Sequence, residues 1–148
     1  MTWGWEDAYS SDSSEVQEQL IGVREIQSTF DAFAAILQDG SVVTWGDPGH
    51  GGDSTDVQGQ LRNVKAIQAT SSAFAAILAD GSVVSWGSPT HGGDSTLVNE
   101  QLNDVSQIQA TKGLSQKANA VMILLSGSAS TFVVVKVVKY LYSHTRTL

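Results

Sequence analysis

The feature that most constrains this chain is that it repeats itself. The segment AFAAILQDGSVVTWGDPGHGGDST begins at Ala32, and AFAAILADGSVVSWGSPTHGGDST begins at Ala73, 41 residues later. The same spacing relates Leu20, Leu61 and Leu102, and also Ile26, Ile67 and Ile108. An earlier partial copy is visible in Thr2–Gly4 and Ser11–Ser14, with one extra residue in its loop. A period of this length marks a stacked architecture in which no unit buries its apolar faces alone.

Each unit reads as three strands and a loop. Val64 to Thr70 alternates apolar and polar residues, the period of a strand. Ser72 to Ala79 is apolar on both faces, which predicts a strand covered on both sides. Asp80-Gly81 is read as a two-residue hairpin turn with both positions at positive φ, and Ser82 to Trp86 as the returning strand. Asp39-Gly40 has the same role in the preceding repeat. After Trp45-Gly46 and Trp86-Gly87, glycine and proline mark a loop. Asp94-Ser95-Thr96 then resembles a helix N-cap leading into one or two helical turns. Trp45 and Trp86 are expected to pack between units, each worth about 2–3 kcal/mol if fully buried.

Composition excludes several classes. The chain has 148 residues, no cysteine, and 41% hydrophobic residues. It therefore has material for a core but none for disulfides, thiolate metal sites or a cysteine nucleophile. All fifteen acids fall in residues 1–111, beside three basic residues, while residues 112–148 carry five basic residues and no acid. The acidic region should repel phosphate backbones, so no nucleic-acid partner is expected. The start MTWGWEDAYS lacks the basic segment of a secretory signal, so a cytoplasmic or nuclear location is expected rather than secretion. The charge switch divides the chain into tandem repeats, 1–111, and a degenerate third unit or divergent basic and apolar tail, 112–148.

The pattern of AFAAIL, Asp-Gly-Ser-Val and Trp-Gly resembles the regulator of chromosome condensation repeat family. It stands at Asp39-Gly40-Ser41-Val42 with Trp45-Gly46, and at Asp80-Gly81-Ser82-Val83 with Trp86-Gly87. The resemblance covers about residues 2–111. The repeat length is similar to a compact three-stranded variant in a bacterial β-lactamase-inhibitor propeller. The loops depart from the family: HGGDST stands where Gly-Gln-Leu-Gly is frequent. The resemblance implies a mainly β fold of tandem three-stranded propeller-like blades with short helical turns in the connections. Four units, the fewest in a propeller, need more than 148 residues, so an incomplete, open propeller is expected, with possible self-association through exposed blade faces.

That resemblance implies a non-catalytic protein–protein interaction scaffold, a fragment of a larger regulatory or HERC-type ubiquitin-ligase-like protein. Nucleotide exchange on a small GTPase is the alternative it carries, and a membrane-attached repeat protein is a third. The candidate partner-binding loops hold Asp47, His50, Asp53, Asp56, His91 and Asp94, facing a protein with a basic surface. The His-x-x-Asp spacing in two loops is read as capping chemistry rather than metal ligation, since Asp53 and Asp94 can accept backbone N–H bonds. The chain carries no Asp-x-Asp-x-Asp-Gly calcium pattern, Gly-x-Ser-x-Gly elbow, phosphate loop or dinucleotide fingerprint, and no catalytic residue, metal or cofactor is expected.

The third unit begins normally but has Met122 where an Asp-Gly turn is due. Ala120 to Leu125, a Ser126-Gly127 turn and Thr131 to Val138 are read as a degenerate hairpin with a short insertion. The uncharged run between Lys117 and Lys136 contains too many polar residues for a spanning helix, so membrane insertion is not expected.

Overall fold

The computed structural model of the chain describes residues 12–95, 105–110 and 121–125. Its elements follow the repeat. The first unit contains β1 (Val23–Ser28), β2 (Ala32–Leu37) and β3 (Val42–Gly46), and the second contains β4 (Val64–Ala69), β5 (Ala73–Leu78) and β6 (Val83–Gly87). Each set forms an antiparallel three-stranded sheet with its middle strand second in sequence. A third sheet pairs β7 (Val105–Ala110) with β8 (Val121–Leu125). The arrangement is mainly β and open.

Repetition extends to register. The first strand of each sheet carries the same irregularity, at Val23/Glu25, Val64/Ala66 and Val105/Gln107. Leu125 pairs with Val105 as Leu78 pairs with Val64, so β8 is the counterpart of β5. The expected Ser126-Gly127 turn and Thr131 to Val138 strand lie outside the described residues.

The core lies between sheets. One buried cluster joins Ala32, Ala34, Ile36 and Val42 of the first sheet to Ile67, Phe74, Ala76, Val84 and Trp86 of the second. Successive strand residues point to opposite faces, so each of the two three-stranded sheets has a small-residue face and an aromatic face. The small face of the first sheet receives the aromatic face of the second, which lets large and small side chains interdigitate. Strand β5 is buried along both faces, with Phe74 and Ala73 fully inaccessible. Covering both faces explains why AFAAIL is a continuous apolar run rather than an alternating one.

Two local expectations are corrected. The Asp-Gly hairpins are three-residue connections. Leu37 N–H donates to Ser41 O at 2.9 Å and Gly40 N–H to Leu37 O at 3.0 Å, and Leu78, Gly81 and Ser82 repeat this. Only the glycine is left-handed, with φ of 81° at Gly40 and 82° at Gly81, while neither aspartate has positive φ. This is a type I-like turn closed by a glycine bulge, and it frees the aspartate to bond the serine two residues on. The second concerns helix: the turns expected after Asp94-Ser95-Thr96 fall on residues 96–101, outside the described residues, and their counterpart after Asp53 shows no α-helix. After the Asp53 cap the chain makes successive i to i+3 turns, with Val57 N–H on Ser54 O and Gln60 N–H on Val57 O, and no α-helix forms. The segment holds β-branched Thr55 and Val57 and then Gly59, and it is too short to repay helix nucleation. The only helical turns among the described residues are 3-10 turns at Pro48–His50 and Pro89–His91.

The hairpin glycines also tie units together. Val64 N–H donates to Gly40 O at 2.9 Å, and Val105 N–H donates to Gly81 O at 2.9 Å. A Cβ on Gly40 would stand 2.9 Å from the Asn63 backbone. Covering by the preceding sheet separates otherwise equivalent residues: Ile67 is 0% exposed and Ile26 is 52% exposed. Ile67→Ala should therefore cost about 2–5 kcal/mol and Ile26→Ala about 1 kcal/mol or less. Urea unfolding of the two variants checks this; equal losses would contradict packing between sheets as the source of stability.

Candidate functional site

The loop after each Trp-Gly pair is held by hydrogen bonds that recur at the repeat spacing. Gly46 and Gly87 take φ of 104° and 102°, turning the chain back so that Asp47 N–H reaches Asp31 O at 2.7 Å and Ser88 N–H reaches Ser72 O at 2.8 Å. Thr29 and Thr70 donate their hydroxyls to His50 O at 3.0 Å and His91 O at 2.9 Å. Trp86 stacks on Phe74, directly opposite it in register, with ring centroids 5.3 Å apart. Its indole N–H donates to Gly51 O, in the loop of the preceding unit, at 3.1 Å. Trp86 thus joins units by both packing and a hydrogen bond. Phe33 and Trp45 repeat the stack at 5.2 Å.

This framework creates a groove that occurs twice. The first copy, about 270 Å³, is lined by Asp12, Glu15, Val16, Thr44, Trp45, Gly46 and Gly52. The second, about 300 Å³, contains the counterpart of every one of these, from Asp53, Asp56 and Val57 to Ser85, Trp86, Gly87 and Gly93. Each groove places two carboxylate-bearing residues beside the Trp-Gly pair of the following strand. In the first copy Thr44 Oγ1 lies 2.9 Å from Ser54 Oγ, whereas Ser85 Oγ in the second is buried without a partner.

The candidate residues separate into distinct settings. Asp53 and Asp56 enter the second groove and are exposed. Asp47 and His50 do not line it. His50 Nδ1 lies 3.0 Å from Asp47 Oδ1, and its Nε2 lies 3.6 Å from Asp31 Oδ2. In the next unit Ser88 replaces Asp47, and His91 Nδ1 meets Ser88 Oγ and Thr90 Oγ1, each at 2.9 Å. Asp94 is half-buried. The structure does not pair His50 with Asp53. Asp53 instead accepts the Thr55 hydroxyl and its amide, the latter at 2.9 Å. Among the described residues, no group of three or more His, Asp and Glu is placed to hold a metal ion. No described helix is long and apolar enough to cross a membrane, and most of the uncharged run from 117 to 136 lies outside the described residues.

Asp12, Glu15, Thr44 and Ser85 are groove residues that reading the loops alone does not single out. The repeat offset contains the signal: projecting Asp53 and Asp56 back 41 residues gives Asp12 and Glu15. No protein-family model matches this chain, and no curated protein matches it.

One motif fixes the charge state of the loops and turns. Asp12, Asp39, Asp53 and Asp80 each accept a hydroxyl and an amide from the Ser or Thr two residues on. These hydroxyl bonds, followed by the amide bonds, hold all four carboxyls below the ordinary value of 3.8. Asp47 is lowered first by its hydrogen bond to His50. A depressed folded-state value gives stability that is present above the ordinary value and lost as pH falls through the folded one. Asp39→Asn with Asp80→Asn keeps an acceptor at each turn but removes the titration. Denaturant unfolding between neutral pH and about pH 3 should show a shallower loss of stability for this double variant than for the parent chain. Parallel pH profiles would contradict the assignment.

Proposed function

We propose that the chain is a non-catalytic scaffold for protein–protein interaction, built of propeller-type units that resemble chromosome-condensation repeats. The partner is a protein with a basic surface. The observation that carries this reading is the duplicated groove, with Asp12 and Glu15 in one copy and Asp53 and Asp56 in the other. Each groove offers ionised carboxylate and the rim of a tryptophan whose ring is already committed to packing. Such a surface suits Lys and Arg side chains, which combine apolar stems with charged heads. The acidic excess in residues 1–111 adds long-range attraction for a cationic partner. Repetition of one chemistry along a stack is a feature of binding scaffolds, where affinity accumulates over equivalent weak contacts.

A synthetic arginine-rich peptide of low sequence complexity is a sufficient probe. Its affinity should fall steeply as salt rises from about 20 to 150 mM, because exposed charge pairs are screened. Asp53→Asn with Asp56→Asn should weaken binding several-fold at low salt, at about 0.2–1 kcal/mol per exposed pair. Asp80→Asn removes the same kind of charge from a hairpin turn outside the grooves and should have a smaller effect. Calorimetric titration that found equal losses for groove and turn variants would reject the groove as the docking surface.

A further inference from the structure

The two grooves are the ends of one trough. A third cavity, of about 360 Å³, shares Val16, Thr44 and Gly52 with the first groove and Asp53 and Ser54 with the second. It touches Val42, Val43 and Thr44 in succession. Neighbouring side chains on a strand point to opposite faces, so a cavity lined by all three lies at the edge of β3 and not on one face. That edge is open by topology, since β3 is the last strand of its sheet and pairs only with β2.

Register identifies which backbone groups face the trough. Bonds from Leu37 N–H to Ser41 O at 2.9 Å and from Asp47 N–H to Asp31 O at 2.7 Å bracket the β2–β3 ladder. Bonded pairs alternate in an antiparallel ladder, so Phe33 with Trp45 and Ala35 with Val43 exchange bonds, while Val42 and Thr44 aim their N–H and C=O away from β2. Val42 O accepts the side-chain amide of Gln58 at 2.9 Å, and the oxygen of that amide accepts the Ser54 hydroxyl at 2.7 Å. Gln58 thus makes the bond that a neighbouring peptide group would make. Farther along, Gly52 lies against Gly46 O, where a Cβ on Gly52 would stand 2.2 Å away. Between them, Thr44 has its hydroxyl engaged, 2.9 Å from Ser54 Oγ, and among the described residues no group bonds its outward N–H and C=O.

The walls of the trough carry exposed carboxylates on both faces of this edge. The Thr44 side chain turns to Ser54, beside Asp53, whereas the Trp45 side chain packs with Val16, on the wall of Asp12 and Glu15. A residue paired opposite Thr44 would place its side chain on the Asp53 face, and its two neighbours would place theirs on the other. We propose that the trough takes a basic segment of the partner in extended conformation. One residue of the segment exchanges both main-chain bonds with Thr44, and successive lysine or arginine side chains reach Asp53 on one face and Asp12 and Glu15 on the other. This inference rests on the grooves being the docking surface, and adds that the partner is read as a strand and not as a folded basic surface.

Amide exchange of the isotope-labelled chain, followed residue by residue in NMR spectra with and without octa-arginine, reads the main-chain bond directly. With the peptide bound at low salt, exchange at Thr44 should slow at least about fivefold. Val43, whose N–H is already bonded to Ala35, should not change. Fully N-methylated octa-arginine keeps every guanidinium charge but has no backbone N–H to give, so it should bind at least about fivefold more weakly. Octa-arginine that binds without slowing Thr44, or that binds no better than its methylated form, would overturn the strand pairing while leaving the grooves as the docking surface. Failure of octa-arginine to bind at all would reject the docking surface and the pairing together.

Discussion

The packing of the aromatic face of one sheet against the small face of the one before it is the interaction on which the rest depends. A three-stranded sheet of this size has no means of burying two apolar faces by itself. Ala32 and Ala34 leave room, and Phe74 and Trp86 fill it. Size alternation across the junction is thus encoded in the neighbouring positions of a single hexapeptide, AFAAIL, whose odd and even residues serve different junctions. The hydrogen bonds between units are then directional additions to a non-directional attraction. Gly40 to Val64, Gly81 to Val105 and Gly51 to Trp86 fix how far and at what angle one sheet sits on the next.

The groove is a by-product of this junction. Its wall on one side is the turn-rich segment after Asp53, and on the other the Trp-Gly end of the following sheet. The groove is found at the Trp-Gly end of both three-stranded sheets, and its chemistry is set by whichever residues the connecting segment supplies. Here the loop supplies carboxylates. The Asp-x-Ser and Asp-x-Thr bonds that shape the loops also favour the ionised carboxylate, so shape and charge have a common cause.

Much of this is legible in the sequence, for physical reasons that differ by residue. The strands are readable because a period of two, or an apolar run bounded by glycine, suits few structures besides a strand, and β4, β5 and β6 begin within a residue of their expected starts. The turn type is not readable, because Asp-Gly suits both a two-residue hairpin and a three-residue turn with a glycine bulge; the register of Ile36 with Val42 decides between them. The helical turns expected after Asp94 fall outside the described residues, and at their counterpart, Thr55 to Gln60, the chain makes tight turns, because a capping aspartate stabilises a tight turn as readily as a helix start. The groove is only half visible. Asp53 and Asp56 stand out in their loop, but their meeting with Trp86 depends on the stacking of two units, which no local pattern records.

Amide hydrogen exchange tests the central claim most directly, at a concentration where the chain is monomeric. Ile26 and Ile67 occupy the same register in nearly the same hairpin, pairing with Ala35 and Ala76. If stability resides in packing between sheets, the amides of β4 and β5 exchange far more slowly than those of β1, because opening the covered sheet requires separating it from its neighbours. Equal protection of β1 and β4 would mean that each sheet is stable on its own, and would contradict the account.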